Sequence, residues 1–186
     1  MKDSQIVELY WNRDERAIRE TSTRYGRYCY AIADNILHDP EDAEECVNDT
    51  WYRTWESIPP QKPNCLRAFL AKITRHLALD RYRLGMAQKR GGGEVALALD
   101  ELAECVPAKG SPEDSLLAGE LEALINRFLA SLPERERSVF LRRYFYVEPL
   151  KDIAGRYGLS LSNAKAILSR TRRKLRAFLK QEGYGL

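Results

Sequence analysis

Apolar residues along the front of the chain recur at helical rather than strand spacing. Ile18, Ser22, Tyr25, Cys29, Ile32 and Ile36 follow one another at intervals of four and three, which places them on one helix face. Asp39-Pro40-Glu41-Asp42 then reads as a helix start. Asp39 can accept from free amides, Pro40 fits the first turn, and the carboxylates favour the positive end of the helix dipole. Ala43, Cys46, Val47, Thr50, Trp51 and Trp55 supply the less polar side of that helix. Pro59, Pro60 and Pro63 interrupt the pattern. Leu66, Leu70, Ile73, Leu77 and Leu84 mark a third amphipathic helix, with Arg67, Lys72, Arg75, His76 and Arg83 on its other sides. Strand-like alternation is absent, so the front predicts a helical bundle ending near Arg90.

The stretch from Gly91 to Pro112 opens with three glycines and contains Pro107 and Gly110. It predicts a flexible linker with short helical turns at Val95 to Leu102. Fully extended, it could span roughly 65–70 Å. Ser111-Pro112-Glu113-Asp114 predicts a further helix start, followed by the apolar stripe Leu117, Leu121, Leu124, Ile125 and Phe128. Pro133 opens another helix with Val139, Phe140, Tyr144 and Phe145 as its core. From Leu150 the pattern is a short helix, a turn at Gly158 and a longer basic helix, which is the helix-turn-helix arrangement. Ala154 is small where two helices must approach, and Gly158 suits a left-handed turn position. Ala164, Leu168, Thr171 and Leu175 share a face in the long helix. Lys165, Ala166, Ser169, Arg170 and Arg173 then point outward, a combination suited to a DNA major groove.

Composition changes this picture chiefly through the order of charges. The 186 residues hold 30 Lys and Arg against 27 Asp and Glu, a net +3. That small total conceals four blocks. Asp39, Glu41, Asp42, Glu44, Glu45, Asp49 and Glu56 are opposed between them only by Arg53. Arg67, Lys72, Arg75, Arg81, Arg83, Lys89 and Arg90 enclose the single acid Asp80. A second acidic run from Glu94 to Glu122 contains only Lys109 as a base. The last helix carries Lys165, Arg170, Arg172, Arg173, Lys174, Arg176 and Lys180. Two separated basic blocks suit a polyanion, and the acidic ones suit a basic partner.

Other chemistries find little support. Cys29, Cys46, Cys65 and Cys105 lack zinc-ligand spacing, and His38 and His76 add no ligand pair. Cys29 and Cys46 read as small buried apolar residues. Gly91-Gly92-Gly93 is not followed by the Gly-Lys-Ser/Thr of a phosphate loop, and no nucleophile constellation stands out, so no enzyme activity and no cofactor are expected. No run of about 18 apolar residues is present, and Met1 to Arg16 lack a signal-peptide core, so no membrane partner and a cytoplasmic location are expected.

At this point the chain resembles bacterial RNA polymerase sigma factors of the extracytoplasmic-function group, in the sigma-70 family. The resemblance runs from about Ser4 to Gln181. It is carried by Tyr25-Gly26-Arg27-Tyr28, by Asp39 to Glu45 with Asp49-Thr50-Trp51 and Trp55, and by Phe69-Leu70 through Leu77-Ala78-Leu79-Asp80. In the back half its carriers are Leu132 to Arg137, Asp152-Ile153-Ala154 and Arg170 to Leu175. It implies an all-α chain of two small helical domains. Residues 1–90 would bind core polymerase and the −10 element, 91–112 would be an acidic linker, and 113–186 would bind the −35 element and the β flap. Asp42, Glu44, Glu45, Asp49, Trp51 and Trp55 would dock on the coiled coil of the β′ clamp. The loop Ser57 to Cys65 and the helix after it would melt the −10 element, with Lys72, Arg75, His76, Asp80 and Arg83 at the DNA.

The −35 contacts implied are Asn163, Lys165, Ala166, Ser169, Arg170 and Arg173. The family often has Asn where this chain has His76, and favours Thr, Ser and Arg where it has Asn163, Ala166 and Ile167. An anti-sigma protein is implied as a regulator. With Leu186 as the last residue, no added sensory domain is expected. Two other classes fit parts of the pattern: a helix-turn-helix regulator acting without polymerase, and a sigma-like module that sequesters a partner.

Overall fold

A computed structural model describes residues 1–86, 93–103, 105 and 115–184, the side chains of 86, 94 and 115–118 excepted. Among the described residues every regular element is a helix. The chain divides into two compact units, Met1–Gly91 and Gly92–Leu186.

In the first unit α1 (Asp3–Trp11), α2 (Arg16–Leu37), α3 (Pro40–Ser57) and α4 (Leu66–Met86) enclose one core. Helix α2 ends on His38, whose φ of +53° is left-handed, and Asp39 is extended, so the chain reverses within two residues. Asp39 Oδ1 accepts from the amides of Glu41 and Asp42, both at 3.0 Å, and Pro40 occupies the first helical position. The predicted helix start forms as its chemistry requires; losing such a cap costs about 1 kcal/mol.

Three points differ from the sequence reading. Helix α1 forms although its periodicity was not singled out, and it buries Ile6, Val7 and Tyr10 against Cys29, Trp51, Ile58, Leu66 and Leu70. Ser22 is exposed, and Thr21 fills the buried position between Ala17 and Tyr25. Leu84 is 74 % exposed rather than in the core. The buried stripe of α4 is Leu66, Leu70, Thr74 and Ala78, and six residues beyond Ala78 the helix has turned by about 240°.

Where α3 meets α4, the facing side chains are small. Cys46, Thr50, Thr74 and Ala78 are fully buried. The threonine hydroxyls satisfy themselves locally, Thr50 donating to Cys46 O at 2.8 Å and Thr74 to Leu70 O at 2.9 Å. Thr50 and Thr74 Oγ1 lie 3.1 Å apart across the seam, and the Cys46 thiol donates to Thr74 O at 3.6 Å. Burial pushes the Cys46 thiol up to about 12 and the Cys29 thiol up to about 11, so both act as inert packing groups.

The second unit contains α5 (Glu94–Ala103), α6 (Ser115–Ser131), α7 (Glu134–Tyr144), α8 (Leu150–Arg156) and α9 (Leu161–Gln181). Phe128 of α6 packs on Phe178 of α9, with ring centroids 5.6 Å apart. Val139, Phe140 and Tyr144 of α7 are buried as expected. The predicted helix start at Ser111 to Asp114 and the Leu117 side chain lie outside the described residues, as do Lys89, Arg90, Pro107, Lys109 and Gly110.

Part of the stretch read as a linker is a docked helix. Val95 and Ala98 of α5 are buried, as is Cys105 just beyond it. Glu101 Oε2 accepts from the Tyr144 hydroxyl at 2.8 Å and from Arg172 Nη1 at 3.0 Å, and lies 3.8 Å from Arg143 Nε. Arg143 is 1 % exposed, so this carboxylate supplies a counter-charge where water cannot. A repeat of apolar residues in α5 explains its formation, and the charge of Glu101 explains where it binds. Glu101→Ala is therefore expected to lower the unfolding free energy of the second unit by about 1–3 kcal/mol in urea titrations. An unchanged midpoint and slope would contradict the docking.

Candidate nucleic-acid interfaces

The helix-turn-helix is held by backbone geometry and by α7. Helix α8 closes with two bonds characteristic of a glycine-terminated helix, Leu159 N–H to Ala154 O at 2.9 Å and Gly158 N–H to Gly155 O at 3.3 Å. Gly158 has φ +59°, with no atom near the place of an added Cβ, so backbone conformation rather than space calls for glycine. Ser160 then caps α9, its Oγ accepting from Asn163 N–H at 3.2 Å. Arg135 donates to Tyr157 O at 3.0 Å and Arg142 to the Tyr157 hydroxyl at 3.1 Å. Arg142 also pairs with Glu148. The turn is thus fastened to α7.

On α9, Ala164, Ile167, Leu168, Thr171, Leu175 and Leu179 are buried. Asn163, Lys165, Ser169, Arg170 and Arg173 are exposed and Ala166 is half-buried. At 100° per residue these six candidates share an arc of about 160° opposite the packing side. The structure brings the whole predicted set together. Ile167 is only 9 % exposed, so at the position where the resemblance favours Arg this chain adds to its core.

The α4 candidates gather less completely. Lys72, His76, Asp80 and Arg83 are exposed and fall within an arc of about 80°. Asp80 and Arg83 pair at 3.2 Å. Arg75 lies apart on the flank, half-buried beside the position of buried Leu79. Burial, reinforced by the charge of Arg83, holds its guanidinium below the ordinary value. At the foot of α4, Arg67 stacks over Tyr28 at 4.6 Å. Near the proline loop, Lys62 lies over Trp11 at 5.4 Å and Arg13 over Trp55 at 5.4 Å. These aromatic–cation pairs were not anticipated, because their members are distant in sequence.

The acidic candidates on α3 separate into two groups on opposite sides. Glu44 joins Val47, Asn48 and Trp51 in lining a groove of about 390 Å³ against Ser22, Gly26, Arg27 and Tyr30 of α2. Trp51 is 7 % exposed and belongs to the core, and Trp55 packs against that core. Asp42, Glu45 and Asp49 instead face Arg81 of α4. Arg81 Nη1 donates to Glu45 Oε2 at 2.7 Å and Nη2 to Asp49 Oδ2 at 2.6 Å, with Asp42 Oδ1 3.9 Å from Nη1. The spacing 42, 45 and 49 was a usable signal for a shared counter-charge, but nothing in the sequence says which base supplies it.

Among the described residues no group of three or more His, Cys, Asp or Glu is set to hold a metal ion, and no helix is long and apolar enough to cross a membrane.

The hydrogen bond from Arg81, then its charge, lowers the Glu45 carboxyl below its ordinary 4.5. A lowered carboxylate stabilises the fold above its unfolded value and loses that contribution as pH falls through the folded one. The Arg81–Glu45 link is therefore expected intact at neutral pH, weakening only below about pH 4.5. Carboxyl NMR titration of Glu45 is expected to give a midpoint below that of an unpaired Glu, returning to the ordinary range in Arg81→Gln. An ordinary midpoint in the unsubstituted chain would contradict the pairing.

Residues 22–85, which contain α3, the proline loop and nearly all of α4, match Sigma-70 region 2. Residues 128–177, which contain α7, α8 and most of α9, match Sigma-70, region 4. The chain is 27 % identical over 170 residues to the ECF RNA polymerase sigma factor SigE of Mycolicibacterium smegmatis, covering 89 % of this chain and 61 % of that protein. It is 28 % identical over 152 residues to the probable RNA polymerase sigma factor RfaY of Xanthomonas campestris pv. campestris, covering 81 % of this chain and 37 % of that one. The chain thus spans less than two thirds of the length of either relative. With region 2 and region 4 in order and both helical in the structure, the chain belongs to the sigma-70 family, in its extracytoplasmic-function group, a family of non-enzymatic factors.

Proposed function

We propose that the chain is a promoter-recognition subunit: it binds core RNA polymerase and directs it to a two-part promoter. The observation that supports this most strongly is the pairing on one chain of region 2 and region 4, each with exposed basic residues on one helix. In this reading Lys72, His76, Asp80 and Arg83 of α4 act at the −10 element, with Arg75 contributing from the flank. The loop Ser57 to Cys65 helps to hold unpaired bases. Asn163, Lys165, Ala166, Ser169, Arg170 and Arg173 of α9 enter the major groove at the −35 element. Phosphate contacts from the lysines and arginines set affinity and register, and the shorter groups leave room for base edges.

The polymerase-facing surface is α3. Glu44 and the groove beside it offer one acidic patch, and Asp42, Glu45 and Asp49 offer another that Arg81 partly neutralises. A basic segment of the β′ clamp coiled coil is the partner these carboxylates suit, with Trp51 and Trp55 supporting the helix from below. The second unit adds a contact to the β flap, and an anti-sigma protein would compete for these surfaces. The proposed place of action is the cytoplasm, where core polymerase works. Residues 1–90 and 113–186 form the two working domains in this proposal, with α5 carried by the second.

Reconstitution with core polymerase from the source organism and a library of genomic promoter fragments tests the reading. The expected result is core binding and initiation at a subset of fragments, with only weak DNA binding by the free chain that falls steeply with salt. Absence of both core binding and initiation would overturn it, as would stable, specific operator binding without polymerase. Division of labour gives a second expectation. Arg170→Ala is expected to lose about 1–3 kcal/mol of affinity on the −35 side while keeping core binding. Glu44→Lys is expected to weaken core binding about tenfold and to spare DNA contacts, since Glu44 faces the α2 groove rather than α4. Equal loss of both activities in both variants would contradict this division.

A further inference from the structure

Helix α4 is held by two different means along its length. As far as Leu79 it is anchored by buried side chains, Leu66, Leu70, Ala71, Thr74, Ala78 and Leu79. Beyond Leu79 the described positions Asp80, Arg83, Leu84 and Gly85 are exposed, and Arg81 and Tyr82 are half-buried. Among the described side chains of these last turns, which carry Asp80 and Arg83, the half-buried Tyr82 is the one aromatic or aliphatic anchor, against a run of fully buried side chains before it. Arg81 leaves the same turn on another side and reaches α3. Its planar fork takes one carboxylate on each prong, Glu45 at 2.7 Å and Asp49 at 2.6 Å, with Asp42 at 3.9 Å. Arg81 is 25 % exposed, whereas Glu45 and Asp49 are 66 % and 46 % exposed. A guanidinium held on two prongs fixes direction as well as distance, which a point charge does not. Exposed ion pairs of this kind contribute little to stability, too little to make Arg81 chiefly a stabilising residue.

We infer that Arg81 is a positioning residue for promoter opening: it fixes the rotation of the DNA-facing end of α4 by gripping the acidic face of α3. The inference rests on the function proposed above. It places the two activities of the first unit on opposite sides of one ion-pair cluster. Polymerase docking on Glu45 and Asp49 and DNA contact by Asp80 and Arg83 then share a mechanical link. No base contact is assigned to Arg81 itself, because it lies about 100° around the helix from Asp80 and farther from Lys72 and Arg83.

The test uses the full chain with core polymerase and a promoter carrying a fluorescent base analogue in the −10 element. Core affinity is measured by titration, strand opening by the fluorescence rise, and helix content by circular dichroism. Arg81→Ala is expected to keep its helix content, to shift core affinity only through the uncovered charges of Glu45 and Asp49, and, at saturating core, to open the promoter about tenfold more slowly. Arg81→Lys, which keeps the charge but loses the fork, is expected to bind core normally and to open the promoter at an intermediate rate. Unchanged opening in Arg81→Ala would overturn the inference. So would an equal loss of core binding and opening in both variants, since that is the signature of a general structural role. If Arg81→Ala loses helix content, the Arg81→Lys result decides alone: normal core binding with slower opening supports the inference, and any other combination overturns it. Failure of the unsubstituted chain to bind core would instead remove the functional reading on which the inference stands.

Discussion

The small-residue seam between α3 and α4 sets the geometry of the first unit. Cys46, Thr50, Thr74 and Ala78 are fully buried there, and the hydroxyls bond back to their own helices. A helix can present one charged face to a partner and another to DNA only if its rotation is fixed. Larger side chains in the seam would separate the helices and release that rotation. Given the seam, the outward faces follow from 100° per residue: Glu44 toward the α2 groove, Asp42, Glu45 and Asp49 toward Arg81, and Lys72, His76, Asp80 and Arg83 on one exposed arc of α4. Arg81 carries the same constraint past Leu79, where buried packing gives way to ion pairs.

The second unit meets the same demand by different chemistry. Its exposed arc on α9 is fixed by an apolar stripe and by the bonded turn that Gly158 closes. Tyr157 takes hydrogen bonds from Arg135 and Arg142 of α7, so the turn is tied to the core rather than left to pack alone. Glu101 of α5 then meets Arg172 and Arg143 on the packing side. Two basic helices in two units thus carry cations on both their inner and outer flanks. Arg81 and Arg172 on the inner flanks are matched by carboxylates, and Lys72, Arg83, Lys165, Arg170 and Arg173 are exposed. Net charge alone could not have revealed this sorting.

Much of this was legible in the residues. Asp39 caps, Gly158 turns, and the face through Ala164, Leu168, Thr171 and Leu175 packs inward, because each depends on neighbours within one helical turn. Local chemistry also placed the α9 arc in full. What escaped was long-range or depended on exact rotation. Helix α1 is short, and its three buried residues mean little without the surfaces of α2 and α4 that cover them. Leu84 suited the apolar pattern but lies about 240° past the buried stripe. Arg81 looked like one more base in a basic block, and only the fold shows that it serves three acids from another block. Glu101 likewise looked like linker charge, whereas Tyr144 and Arg172 bind it across 43 and 71 residues of chain.

The central claim is that α4 and α9 face two separate promoter elements while α3 faces polymerase. The most direct measurement is DNA cleavage by a tethered iron chelate placed on single cysteines in the assembled polymerase–promoter complex, with the native cysteines replaced. Chelates at positions 72 and 165 sit on the exposed arcs of α4 and α9 without occupying the packing faces. Position 72 is predicted to cut only around the −10 element and position 165 only around the −35 element, with neither cutting in the absence of core. Cleavage of the same segment from both positions, or full cleavage without polymerase, would contradict the account.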